Sequence, residues 1–223
     1  MDDDPVPIPV HVRRVVDGDG EMRSENEVYC VARRACVSVA DCEACAGYVG
    51  ADVDLYRHRN YVLCRNLTPE SARALAPART AVLRRRYIDN ATAGERTPVR
   101  EIMTADVWCA AADLSLAKLR EMLVGHGFSG VPVVDSSGRC VGVVSVADLA
   151  RTDKADARVQ DVMARLTFVL PDSASVSQAA ALMALEHVHR IPIVTDDGRV
   201  AGIVSSIDVL GWLGRQDGYI IPR

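Results

Sequence analysis

Between residues 99 and 210 the same pattern of apolar and polar positions runs twice, 60 residues apart and without a gap. In the first copy Val107–Ala110 reads as a short strand. Leu114–Gly125 has apolar residues at Leu116, Leu119, Met122 and Leu123, the spacing of a helix with one buried face. Val131–Val134 is a continuous apolar run of strand length, Ser136-Ser137-Gly138-Arg139 supplies turn residues, Cys140–Val144 is a further strand, and a helix begins at Val146. The second copy predicts strands at Thr167–Leu170, Ile191–Val194 and Val200–Val204. Its helices are expected at Val176–Leu185 and from Ser206 to about Leu213-Gly214, and Asp196-Asp197-Gly198-Arg199 forms the turn. Each unit is therefore β-α-β-β-α. The expected fold class is α+β, with two such units packed face to face as a pseudo-symmetric pair.

Eleven of the 52 aligned positions are identical, and eight of these lie between Pro132 and Asp148. They fall on the hairpin and the start of the last helix, where packing alone would spread them more evenly. Outside the repeats the pattern is weaker. Residues 1–24 are acidic and broken by prolines, which predicts a poorly ordered tail. Residues 25–66 hold five cysteines among short β-like runs (Glu27–Val31, Tyr61–Cys64) and read as a small separate module. Residues 67–96 form a helical connector that starts at Thr68 as N-cap, with Pro69 behind it, and restarts over Ala78–Ile88. Its Arg84-Arg85-Arg86 triplet is read as a solvated helix face. The repeats occupy 97–155 and 156–214, and 215–223 is a C-terminal tail.

Net charge argues against one class of partner. The chain carries −4 overall, −1 over residues 1–98 and −3 over 99–223, without the positive excess of a general nucleic-acid binder. No apolar run reaches the ~20 residues of a membrane span, and the N-terminus lacks the basic start and apolar core of a signal peptide. A cytoplasmic, reducing location is the expectation, in which cysteines serve as thiols or metal ligands.

The matching segments of the first copy are Val-Arg-Glu-Ile-Met-Thr (99–104), Gly-Val-Pro-Val-Val-Asp (130–135), Gly138 and Gly-Val-Val-Ser-Val-Ala-Asp (142–148). Their counterparts are Val-Gln-Asp-Val-Met-Ala (159–164), His-Arg-Ile-Pro-Ile-Val (189–194), Gly198 and Gly-Ile-Val-Ser-Ser-Ile-Asp (202–208). These segments resemble the CBS (cystathionine-β-synthase) domain, and the pair resembles a Bateman module. The resemblance implies clefts between the units that take adenosine-containing ligands: AMP, ADP, ATP or S-adenosylmethionine. It implies that Asp148 and Asp208 accept from ribose hydroxyls and that Ser145 and Ser205 lie near phosphates at a helix N-terminus. Val131, Val133, Ile191 and Ile193 would wall a purine, and Arg190 would reach a phosphate. Gly130 stands where Arg190 does, so the clefts are not equal. Ser-x-x-Asp before an apolar helix is also a capping box, a purely structural role that stays open. Homodimers are usual in the family.

The N-terminal cysteines are spaced Cys30-x5-Cys36-x5-Cys42-x2-Cys45-x18-Cys64. Cys42-x2-Cys45 is a common half-site for a tetrahedral ion, and Cys30 and Cys64 would complete a zinc-ribbon-like set. Cys36 is a spare that can substitute for Cys30. An iron–sulfur cluster or a set of free thiols are the other readings. Cys109 and Cys140 read as small core hydrophobes.

No P-loop, dinucleotide fingerprint, nucleophile elbow or zinc-protease motif is present, so an enzyme is not expected. The function expected is a cytoplasmic sensor that binds an adenosine-containing ligand and signals to a protein partner. A ligand-independent dimeric adaptor with a structural zinc module is the alternative, and a nucleotide-responsive DNA-binding regulator is a further one.

Overall fold

The computed structural model describes residues 5–30, 32–54, 59–65, 92–152 and 156–220. The expected connector helices at 67–88 and the Arg84–Arg86 triplet lie outside these residues. The chain forms two compact units, one of residues 1–13 and 24–93, the other of residues 14–23 and 94–223.

The second unit contains both repeats. In the first, β6 (Ala110–Ala111) runs parallel to β7 (Gly130–Val134), which pairs antiparallel with β8 (Cys140–Ser145). In the second, β9 (Thr167–Pro171) runs parallel to β10 (Arg190–Val194), and β10 pairs antiparallel with β11 (Val200–Ser205). The helices between are α3 (Leu116–His126) and α6 (Val176–Leu185). Ser115 caps α3 by accepting from the Lys118 amide, and Gly127 ends it at φ 68°, a left-handed value that glycine adopts without strain. Ser175 and Gln178 form a reciprocal capping box on α6. Leu116, Leu119 and Leu123 turn inward from α3, and Val176, Ala179, Leu182 and Met183 from α6. The final helices are α4 (Val146–Leu149) and α7 (Ser206–Gln216), the latter running past the expected end at Gly214. The observed order is the expected β-α-β-β-α, but the first strand is only Ala110–Ala111, so Ala110 alone remains of the strand expected at Val107–Ala110.

The repeats exchange their leading segments. Val99 and Ile102–Met103, which begin the first copy, pack in the core of the second with Leu182, Ile191 and Ile193. Val159, on α5 (Val159–Val162), and Met163 pack in the core of the first with Leu119, Leu123 and Val133. The backbone follows the same exchange. Val99 N donates to Ala174 O at 2.7 Å and Val159 N to Leu114 O at 2.9 Å, while Thr104 bridges Ile203 and Ala164 bridges Val143. Each of these pairs maps onto its partner by the 60-residue shift, and Arg139 bridges Arg199, its own counterpart. A local pseudo-two-fold axis therefore passes beside those two residues.

The prolines mislead at the N-terminus. Residues 6–16 form β1 (Val6–Val16) where a poorly ordered tail is expected. Pro7 and Pro9 are two apart, so both missing N–H groups fall on one edge and the other edge keeps its donors. Residues 6–9 pair with β5 (Arg59–Cys64), and Arg14–Val16 pair with β9 in the repeat unit. The Asp17 side chain then closes a turn by accepting from the Asp19 and Glu21 amides, each at 3.0 Å, before β2 (Met22–Cys30) begins. Val16 packs with Cys140, Val169 and Val194.

The first unit holds the rest of the N-terminal half. β2 pairs with β3 (Ala35–Ser38), α1 (Val39–Glu43) follows, and β4 (Tyr48–Asp54) pairs with β5. Ile8, Val28 and Val62 form its buried cluster, with Val10, Val37, Val39, Cys42, Tyr48 and Cys64 partly buried around it. Ala93–Arg96 form a single helical turn, α2.

Candidate functional site

The Gly-x-x-Ser-x-x-Asp stretches place a serine and an aspartate at the start of α4 and of α7. Asp148 Oδ2 accepts from the Ser145 amide at 2.9 Å and its hydroxyl at 2.6 Å. Asp208 Oδ2 accepts from the Ser205 amide at 2.7 Å and its hydroxyl at 2.5 Å. Both pairs are complete capping boxes, with the serine hydroxyl also accepting from the aspartate amide. The structural role foreseen for Ser-x-x-Asp is thus filled in both copies. It uses one carboxylate oxygen of each aspartate, so the box and a ligand hydroxyl do not compete for the same atom.

The two copies differ at the other oxygen. Asp148 Oδ1 is 3.3 Å from Arg151 Nη1, a pair whose arginine side chain is 77% exposed and so contributes little to stability. The residue 60 positions on is Gly211, which has no side chain to offer Asp208. The strands add a second difference. Arg190 is the cross-strand partner of Ser205, so both side chains lie on one face. Its Nη2 donates to Ser129 Oγ of the other repeat. Gly130 holds the equivalent place opposite Ser145, and a Cβ there would sit 2.9 Å from the Val144 carbonyl oxygen.

A cavity of about 290 Å³ opens beside Asp148, lined by Arg151, Thr152, Ala157, Asp161 and Val162. Its walls come from the end of the first repeat and the leading segment of the second. That volume is at the lower end of small-ligand pockets. Arg151 and Asp161 were not singled out from the sequence. The signal for Arg151 was its position three residues after Asp148, one helical turn away. Asp161 is masked in the sequence by a capping role of its own, since Asp161 Oδ2 accepts from the Arg158 amide at 2.8 Å.

Val131, Val133, Ile191 and Ile193, expected as purine walls, are all 2% exposed or less and belong to the two cores. They act here as packing residues beneath the strands. His187 and His189 are exposed, and His187 takes a left-handed φ of 54° where α6 has ended.

The cysteines separate by strand face. Cys30, Cys42, Cys45 and Cys64 line one cavity with Ile8, Ala32, Arg33, Tyr48 and Val62. Cys36 is not among its lining residues. It alternates with Val37, which packs on the buried cluster, so Cys36 points to the opposite face of β3. Burial raises the Cys42 thiol above its ordinary value, and the nearby Cys30, Cys64 and Cys45 push it further in the same direction, against the positive charge of Arg33. Cys140 is buried against Val16, Val169 and Val194, and desolvation raises its thiol to about 11, which keeps it an inert core residue.

Comparison with known proteins follows the repeats. The model of the CBS domain matches residues 99–154 and 159–215. Inosine-5'-monophosphate dehydrogenase of Methanocaldococcus jannaschii is 28% identical over 110 residues, 49% of this chain and 22% of that enzyme. L-aspartate semialdehyde sulfurtransferase of the same organism is 26% identical over 114 residues, 51% of this chain and 22% of the enzyme. The chain thus spans about a fifth of the length of these curated relatives. Among solved structures, CBSX2, a protein of Arabidopsis thaliana, in complex with AMP is 27% identical and covers 55% of this chain and 99% of that one, with a TM-score of 0.51. The CBS domain pair of protein MJ0100, in complex with 5'-methylthioadenosine and S-adenosylmethionine, is 25% identical, covers 54% and 98%, and has the same TM-score of 0.51.

Proposed function

The chain belongs to the CBS-domain family, and from that premise we propose that it is a regulatory protein whose repeat pair binds an adenosine-containing ligand and signals its presence to a partner. The observation that carries this reading is the cavity of about 290 Å³ at Asp148, walled by the end of the first repeat and by the leading segment of the second. That segment packs in the core of the first repeat and runs on into β9 of the second, so a ligand seated there bears on the link between them. A ligand that prefers one setting of that segment over another shifts its population, which is the physical requirement for a sensor. Asp148 and Asp208 each have a carboxylate oxygen outside the capping box to accept from a ribose hydroxyl. Solved CBS pairs that carry AMP, or methylthioadenosine and S-adenosylmethionine, support the ligand class. The proposed role is sensing rather than catalysis, in a cytoplasmic setting.

The partner-facing surface in this reading is α7, whose Ile207, Leu210 and Leu213 are 72%, 59% and 50% exposed. They recur every three residues along one side of the helix, a stripe that suits a second copy of the chain. Sedimentation of the full chain and of Leu210→Glu tests that dimer.

Thermal unfolding against AMP, S-adenosylmethionine and methylthioadenosine tests the sensor. A ligand at 100 times its dissociation constant stabilises the folded state by about 2.7 kcal/mol. Asp148→Ala and Asp208→Ala lower the baseline because each breaks a cap, so the shift is read against each variant's own baseline. A shift abolished in either variant supports the sensor. No shift with any of the ligands would leave both motifs as helix caps and favour the ligand-independent adaptor.

A further inference from the structure

We propose that Cys30, Cys42, Cys45 and Cys64 form a tetrathiolate zinc centre that holds the first unit together, and that Cys36 takes no part in it. The four sulfurs come from separate places in the chain: the end of β2, the end of α1, the turn after it and the end of β5. All four residues line one cavity of about 40 Å³, and closing on an ion would draw in sulfurs of which no three stand within 4.8 Å of one another here. A water needs roughly 10–15 Å³ of such space, so there is room for a single ion. The turn sets the hook. Cys45 N donates to Cys42 O at 2.9 Å and Tyr48 N to Cys45 O at 3.0 Å, which holds the two thiols on one side of a tight loop. Cys64 is the cross-strand partner of Tyr48, which places the loop over the end of β5.

Strand alternation selects the other two ligands. Val28 and Val62 are buried, and Cys30 and Cys64 follow each by two residues on the same faces. Cys36 is out of phase with Val37 and faces away. The lining donors are thiols, with neither His nor carboxylate among them, and the wall is otherwise mostly apolar. Soft, tetrahedral, sulfur-only ligation suits zinc. Four thiols would lose their protons to solvent as one Zn²⁺ accepts four sulfur lone pairs, leaving a net charge of −2 and no change of oxidation state. Arg33, on the cavity wall, offsets part of that charge.

Among the described residues of the unit the buried hydrophobic ones are Ile8, Val28, Tyr61 and Val62. A metal crosslink that ties β2, α1 and β5 around them adds to what these apolar contacts supply.

The full chain, purified reduced and without added metal, is analysed for zinc, iron and acid-labile sulfide, and the zinc is displaced with Co²⁺ for absorption spectroscopy. About one zinc per chain and the intense bands of tetrahedral cobalt thiolate are expected. Cys36→Ser keeps the metal, and Cys42→Ser with Cys45→Ser loses it. Should that double variant fail to fold, titration of the wild type with a mercurial still decides, since zinc release should track about four thiols. Iron with labile sulfide, no metal in the reduced chain, or loss of metal in Cys36→Ser would each overturn the proposal.

Discussion

Gly142 shows why a residue can repeat without touching a ligand. A Cβ at Gly142 would lie 2.7 Å from Ala164 O and 2.9 Å from Met163 Sδ. At Gly202 it would lie 2.7 Å from Met103 Sδ and 2.9 Å from Thr104 O. The glycines and methionines that match across the copies are thus two halves of one contact, crossed over the pseudo-axis. The clustering of identities on the hairpin, read from the sequence as a sign of function, is in part this packing constraint. Gly138 and Gly198 have a different cause, since each closes its hairpin turn at a φ above 80°. The methionine can move but the carbonyl cannot, so Gly142→Ala forces β8 away from Ala164. We expect a loss of about 1–3 kcal/mol in urea unfolding, the range for overpacking a filled core. A neutral result would show that the strand has slack the contact does not suggest.

At the scale of elements, the exchanged leading segments decide how the repeats fold. Met163 belongs to the second copy in sequence and to the core of the first in space. Met163→Ala should therefore destabilise the chain by about 2–5 kcal/mol, the range for truncating a buried methionine. Its signature is location: amide hydrogen exchange should speed up in α3, around Leu119 and Leu123, before it does in α6. Faster exchange in α6 first would show that the copies fold without exchanging their leads. The helices and strands of the repeats were legible in the sequence, because each carries its own apolar period and its own cap, as Ser115 and Ser175 show. The exchange was not legible. Val99 and Met103 look the same whether they pack on their own repeat or on the other. β1 was hidden for a local reason, since Pro7 and Pro9 read as breakers until their shared edge is known. Of the residues named from the sequence Asp148 lines the cavity, and its neighbours Arg151 and Asp161 were not legible, because a cavity wall built from two distant segments leaves no pattern in either.

For the repeat unit as a whole, the backbone is symmetric and the side chains are not, so the two Ser-x-x-Asp ends should prefer different ligands. The cavity at Asp148 sees two carboxylates, Asp148 and Asp161, against one cation, Arg151. Like charges close by oppose a phosphate there, whereas an uncharged thioether or a sulfonium is tolerated or favoured. The α7 end combines Ser205 with Arg190 on one face and the positive end of a helix of 11 residues. That set suits a phosphate. On the sensor reading, methylthioadenosine or S-adenosylmethionine should bind at Asp148 and AMP at Asp208. In calorimetric titration Asp148→Ala should abolish the first and spare AMP, while Arg190→Ala should weaken AMP by about tenfold, a loss of roughly 1.4 kcal/mol, and leave methylthioadenosine unchanged. The AMP affinity should also fall as salt rises, and the methylthioadenosine affinity should not, because only the first rests on a charge partly open to solvent. If both variants weaken both ligands alike, the charge difference between the two ends does not sort ligands, and the asymmetry at Gly130 and Arg190 reflects packing alone.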